Sequence, residues 1–192
     1  MPIVSLPADL EFIHLPQIAF RTEEEKKKIL YRSLEEFKQG RVALKALKLG
    51  QKYKKEIESA ASPKVSIRYI NERVGYGVFA EEPLKKGQWI GEYTGIVREN
   101  IREYFVPLNN YCYEYPVPDS IGRSHVIDAT QGNFTRFINH SNRPNLKPFY
   151  AFFDGLYHMI LISIKDISKG EQFSYDYGPK YWYIRSPPEI IE

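Results

Sequence analysis

Two hydrophobic rhythms divide the chain. Between Thr22 and Glu58, Leu30, Leu34 and Phe37 recur at helical spacing among lysines and glutamates, and Thr22 stands three residues ahead of Glu25, as an N-cap would. Gly40 and Gly50 are expected to split this stretch into shorter helices. Beyond Ser62-Pro63 the rhythm shortens to segments rich in β-branched and aromatic residues: VSIRYI (65–70), GVFA (77–80), QWIGEYTGIV (88–97), YCYEY (111–115), HVIDA (125–129), PFYAFF (148–153) and LYHMILISI (156–164). Turn signals punctuate them, among them Pro83 with Gly87, Pro107-Leu108-Asn109-Asn110, Asp154-Gly155 and Lys169-Gly170. Short strands without long helices between them predict a mostly β (α+β) domain with a helical N-terminal annex. The expected division is residues 1–62 for the annex, 63–179 for the β domain and 180–192 for an aromatic tail. The annex helices are expected to bury the stripe of Leu30, Leu34 and Phe37, either on the β domain or across a homodimer.

Composition narrows the classes. A chain of 192 residues with 43% hydrophobic content can fill one core of ordinary size plus an appendage, and not two full domains. Residues 21–58 hold 12 basic and 7 acidic side chains, whereas the chain from Ser59 onward is balanced at 15 of each, so the basic excess belongs to the annex. It reads either as a surface for an anionic partner or as solvated helix. Cys112 is the only cysteine, which excludes an intrachain disulfide and a Cys-rich zinc cluster. MPIVSLPADLEF lacks a basic start and a continuous apolar stretch, and no run approaches the ~18 apolar residues of a membrane span. A soluble protein with no cleaved export signal and no membrane partner is expected.

Three stretches exceed what a plain β core requires. In Gly75-Tyr76-Gly77-Val78-Phe79, two glycines bracket an aromatic ahead of a strand, which makes either a tight turn or a place where backbone approaches a ligand. In Arg136-Phe137-Ile138-Asn139-His140-Ser141-Asn142, a polar cluster follows an apolar pair directly; it serves either as a capped loop or as a binding site. In Phe173-Ser174-Tyr175-Asp176-Tyr177-Gly178, the two phenols project on one face if the segment is extended.

Their order, a glycine loop, EYTG, YCY, RFINHS followed by PN, and GEQFSYDYG, resembles the SET domain of protein lysine methyltransferases over about residues 64–182. VGYGVFA, IGEYTGI, NYCYEYPVP and GPKYW look closest to the compact SET proteins of chlamydia-like intracellular bacteria. The resemblance implies small β-sheets with the RFINHS segment threaded in a pseudoknot-like way. It implies that S-adenosylmethionine is held by Gly75, Tyr76, Gly77, Arg136, Asn139, His140 and Trp182, with Asn139 at its amino-acid end and the His140 backbone at the adenine edge. Tyr177 matches the catalytic tyrosine, Tyr111 a substrate-channel tyrosine, and Tyr175 a position that is phenylalanine or tyrosine in different members. Tyr111, Tyr113, Tyr175 and Tyr177 are thus the expected channel walls. Many members carry a zinc-binding cysteine where Asn142 stands, joined by three more after the domain; here both features are missing, which implies loss of that module and no metal. Tyr181, Trp182 and Tyr183 serve either as a cover for the channel or as a packing tail.

The implied reaction is transfer of methyl groups to lysine of a histone or histone-like basic protein, chiefly to the mono- or dimethyl state because Tyr175 narrows the channel. A non-catalytic SET module that binds lysine-rich tails is the alternative, and direct nucleic-acid binding does not explain the asparagine and tyrosine motifs. Glu92, Glu99, Glu103, Glu114 and Asp119 near the channel strands suit a Lys/Arg-rich peptide. The likeness to chlamydia-like proteins leaves two settings open, the bacterial cytoplasm and, after secretion, the host cell and its nucleus.

Overall fold

The computed structural model describes residues 3–100, 109–117, 124–183 and 185. Along the chain lie β1 (Ile3–Ser5), β2 (Ala19–Phe20), α1 (Glu23–Lys38), α2 (Leu44–Lys52), α3 (Lys54–Glu58), β3 (Val65–Asn71), β4 (Gly75–Ala80), β5 (Trp89–Glu92) and β6 (Ile96–Glu99). They are followed by β7 (Cys112–Tyr115), β8 (His125–Asp128), a 3-10 turn (Phe134–Phe137), β9 (Asn139–His140), β10 (Leu146–Phe153), β11 (Leu156–Ser163), β12 (Ser174–Tyr175) and α4 (Pro179–Trp182). Every strand segment expected from the sequence forms a strand, with QWIGEYTGIV divided into β5 and β6. The division falls at Gly95, where a Cβ would lie 2.4 Å from the Asp128 carbonyl oxygen.

Among the described residues the strands form four small sheets, ordered β1-β3-β4, β10-β11-β5, β2-β6-β8-β7 and β12-β9. The longest pair, β10 with β11, is antiparallel and in register from Leu146↔Ser163 to Phe153↔Leu156. Asp154 (φ 50) and Gly155 (φ 75) close it as a two-residue hairpin turn, the left-handed geometry that an Asp-Gly pair favours. The inner faces meet in one main core that includes Ile67, Val78, Ile90, Ile127, Phe134, Ile138, Leu161 and Phe173.

Thr22 caps α1 by accepting a hydrogen bond from the Glu25 backbone at 3.1 Å. The helix faces inward with Ile29 and Ser33, not with the expected stripe. Leu30 and Leu34 lie against the Gly155 turn, Phe37 stacks on Phe152 at 5.7 Å, and Leu34 and Phe37 remain 37% and 48% exposed. The helix forms as the spacing predicts, but its buried side lies one residue away from that stripe, at Ile29 and Ser33. Gly40 (φ 69) does end the first helical stretch, whereas Gly50 lies inside α2 and the second break comes at Tyr53. Gly50 has another task, because a Cβ there would lie 1.9 Å from the Phe152 carbonyl oxygen. Its absence lets α2 lie directly on β10. Gly50→Ala should therefore destabilise the fold by about 3 kcal/mol, the upper end of typical overpacking losses. Urea unfolding checks this, and a loss under ~1 kcal/mol would mean that α2 shifts freely on the sheet.

Candidate active site

The polar cluster at Asn139 follows Phe137 and Ile138 because that apolar pair anchors it. The Asn133 side chain accepts from the Thr135 backbone at 3.0 Å and donates to the Glu92 carbonyl at 2.8 Å, which fixes the 3-10 turn to β5. Phe134, Phe137 and Ile138 are buried beneath it. The chain emerges as β9, pairing in parallel with β12 through Ser174↔Asn139 and Tyr175↔His140. Two residues per strand make a weak ladder, and Asn145 extends it. Its side chain accepts from Ser174 N–H at 2.8 Å and donates to the Gln172 carbonyl at 2.7 Å, while its backbone N–H donates to the Ser174 carbonyl.

This pairing brings the expected cofactor residues together. Asn139 donates its amide to the Tyr76 carbonyl at 3.0 Å, joining β9 to the Gly75-Tyr76-Gly77 segment, which lies at the start of β4. A Cβ on Gly77 would lie 2.6 Å from the Ile70 side chain and 2.7 Å from that of Gln172, so any larger residue would have to displace both side-chain ends. Tyr76 offers backbone alone, since its hydroxyl is spent on Asp9 at 3.0 Å and its ring lies edge-on to Phe137. His140 Nδ1 accepts from the Tyr177 backbone at 3.2 Å, which leaves the imidazole proton on Nε2, facing Asn142 Oδ1 at 3.1 Å. Trp182 meets the His140 ring edge-on at 4.9 Å and lies parallel to Tyr177 at 6.1 Å. Arg136 stacks its guanidinium on Tyr111 at 4.0 Å. Among the described residues, Arg136 Nε and Trp182 Nε1 are buried donors without acceptors. Buried donors need acceptors. A ligand with carboxylate, hydroxyl and ring-nitrogen acceptors, as S-adenosylmethionine has, fits these residues.

Next to this shelf stands the tyrosine wall. The Tyr177 hydroxyl donates to the Ile138 carbonyl at 2.8 Å, and its ring centre lies 4.9 Å from Tyr175 and 4.7 Å from Tyr181. Tyr113 lies 5.8 Å from Tyr93, whose hydroxyl donates to the Tyr111 carbonyl at 2.8 Å. Burial, then the neighbouring Tyr181 and Tyr111, pushes the Tyr177 phenol well above its ordinary range. Burial also raises Tyr175 and Tyr93, and together with Glu114 it pushes Tyr113 up to about 12. The wall is a set of neutral phenols at any physiological pH.

All four channel tyrosines and the expected cofactor residues thus meet around the β9–β12 pair. Tyr93, buried within the EYTG stretch, was missed as a wall residue; its signal was an aromatic that ends β5 instead of alternating with it. Of the tail, Tyr181 and Trp182 lie over the site while Tyr183 is 90% exposed. The acidic cluster needs correction. Glu92 is buried and holds His158 Nδ1 at 2.7 Å, so it offers nothing to a peptide, whereas Glu114 is exposed and paired with Lys180. Glu99 is half-buried, and Glu103 and Asp119 lie outside the described residues.

The SET-domain family profile matches residues 75–178, more than half of the chain. The chain belongs to the SET-domain family. It is 35% identical over 122 residues to the N-lysine methyltransferase KMT5A-A of Danio rerio, covering 59% of this chain and 35% of that protein. It is 36% identical over 121 residues to the histone-lysine N-methyltransferase set-2 of Caenorhabditis elegans, covering 59% of this chain and 8% of that protein. This SET protein therefore spans about a third or less of the length of those relatives. Among solved structures, a ctPRC2 chain in an autoinhibited conformation bound to S-adenosylmethionine superposes with a TM-score of 0.51 at 26% identity, over 64% of this chain and 16% of that one. The Chaetomium thermophilum polycomb repressive complex 2 gives 0.52 at 26% identity, with the same coverage.

The raised phenols have a measurable consequence. The folded SET domain holds these protons more tightly than the unfolded chain, whose tyrosines titrate near ~10, so their stabilising contribution is complete below that pH and is lost as pH climbs toward about 12, the value for Tyr113. Tyrosinate absorbance and loss of circular dichroism should therefore rise together across that window, and Tyr113→Phe should move the midpoint upward. Tyrosinate appearing near pH ~10 with the fold intact would show a solvated wall.

Proposed function

We propose that this SET protein is an S-adenosylmethionine-dependent protein lysine N-methyltransferase. The observation that carries the reading is the junction of the Asn139–His140 shelf with a wall of neutral, desolvated phenols. The naming of the relatives as lysine methyltransferases supports it. When bound, S-adenosylmethionine supplies a methyl group on a positive sulfur, open to attack by an amine lone pair.

The chain's residues have to deliver that lone pair. A lysine ammonium of pKa near ~10.4 must first give up its proton to solvent, and burial among uncharged groups favours the neutral amine that remains. Phenols held protonated provide no anion to stabilise the ammonium and no nucleophile to compete for the methyl group. Tyr177 Oη, which spends its hydrogen on Ile138, keeps lone pairs that can accept an amine N–H and hold the nitrogen in line. Tyr175, 4.9 Å away, sets the room left for methyls already transferred.

For substrate we favour a histone or histone-like basic tail, taken mainly to the mono- or dimethyl state. The supports are the histone-lysine methyltransferase names of relatives, exposed Glu114 and the hydroxyl of Tyr175. The motif likeness to chlamydia-like proteins supports bacterial origin, with action on the bacterium's own DNA-packing protein or on host chromatin. For the annex we favour pairing of two copies. Tyr31 is 66% exposed, and Leu34 and Phe37 beside it are only partly covered by the Gly155 turn and Phe152. Lys27 and Glu35, the latter also paired with Lys38, stand four residues either side of Tyr31, so an antiparallel two-fold contact matches opposite charges. Light scattering of the wild type should give the mass of a dimer that Tyr31→Glu halves; a monomeric wild type sinks the idea.

Methyl transfer to one lysine peptide, read by intact mass, tests the main reading. Tyr177→Phe should lower turnover by at least ~100-fold while S-adenosylhomocysteine still binds. Tyr175→Phe should keep the first transfer and shift products toward higher methylation. Wild-type protein that binds cofactor and peptide without transferring methyl would instead be a lysine-tail binding module.

A further inference from the structure

We propose that Arg185 is a positioning residue that clasps an aromatic cover over the active site. The inference rests on the methyltransferase reading and adds a residue that no catalytic motif contains. After β12 the chain turns at Gly178 (φ 81) and forms the single turn of α4, which buries no residue. A four-residue helix has almost no stability of its own, so something else must hold it. Yet α4 carries Tyr181 against Tyr177 and Trp182 against His140, which places a ring over the phenol wall and another over the cofactor shelf.

The guanidinium of Arg185 supplies the anchorage. Nε donates to Asn110 Oδ1 at 2.9 Å, Nη2 to the Asn109 carbonyl at 3.1 Å and Nη1 to the Tyr181 carbonyl at 3.1 Å. Its plane lies 4.1 Å from the Tyr181 ring centre. One planar fork thus bonds to both sides of the gap. Asn109 is itself fixed: it donates to Asp128 Oδ1 at 2.8 Å and accepts from the Tyr111 backbone at 2.8 Å. The clasp therefore ties the cover to the residue that leads into the channel wall. A second tie, Lys180 to Glu114 at 2.9 Å, joins side chains 86% and 59% exposed and contributes little. Lysine cannot replace Arg185, because an ammonium lacks both the fork and the stacking plane.

Two measurements on the full chain test the clasp. In ligand-free protein, Arg185→Ala should speed hydrogen exchange of the Tyr181 and Tyr183 amides, which bond to Gly178 and Pro179. In calorimetry it should weaken S-adenosylhomocysteine binding by about 10-fold, with the cofactor KM rising similarly and kcat falling less than ~3-fold, because a cover contributes mostly binding common to ground and transition states. Arg185→Lys should behave nearly as the alanine variant. Unchanged exchange and affinity in Arg185→Ala would overturn the proposal, and so would a lower melting temperature with unchanged affinity. A wild type that binds no S-adenosylhomocysteine defeats the methyltransferase reading instead, and the exchange rates alone then judge the clasp.

Discussion

Everything at the site depends on four residues of parallel β-pairing. Ser174 and Tyr175 lie beside Asn139 and His140, and from that contact Asn139 reaches the Tyr76 carbonyl, His140 receives the Tyr177 amide and Tyr177 reaches the Ile138 carbonyl. So short a ladder does not persist unaided. It is held from outside, by Ile138 and Phe173 buried in the core below and by Asn145, whose side-chain amide takes the place of a further strand residue. The strength of the pairing is thus borrowed from packing, and the polar shelf inherits the rigidity of the core.

The same arrangement sets the electrostatics. Phenols in edge-on and tilted contact at ring distances of 4.7 to 5.8 Å exclude water from one another, and desolvation is the leading cause that keeps Tyr93, Tyr113, Tyr175 and Tyr177 protonated. A carboxylate in such a wall would hold an ammonium in its charged form. The nearest buried carboxylate in sequence to Tyr93 is Glu92, and it is turned away to His158. Adjacent residues on β5 and its end thus serve opposite faces, one structural and bonded to His158, one facing the channel and neutral.

Most of the β architecture was legible because alternation, β-branching and turn residues act locally: the Asp154-Gly155 hairpin and the β10 and β11 segments needed no distant information. The site was legible through the order of its motifs, which carries chemistry that no single motif does. What escaped depends on partners far along the chain. Gly50 read as a helix breaker because Phe152, whose carbonyl occupies the space of its missing Cβ, is about a hundred residues away. Glu92 read as a surface acid because nothing near it in sequence announces His158. The α1 stripe was misjudged because which side of a helix is covered depends on what it packs against, here the Gly155 turn and Phe152, and not on the helix's own period. Arg185 carries no motif at all, and its role exists only once Asn109 and Tyr181 stand on either side of it.

The β9–β12 pair also has a bearing on how the molecule comes into being. Asn139 and His140 must wait, during synthesis, for a strand that begins at Ser174, with the whole β10–β11 hairpin in between. A ribosome-bound chain can complete that hairpin, a contact between neighbours in sequence, well before its partner for β9 has left the exit tunnel. The shelf, the phenol wall and the aromatic cover all draw on residues beyond Phe173, so a chain that stops short of Ser174 lacks Tyr175, Tyr177, Tyr181 and Trp182 together.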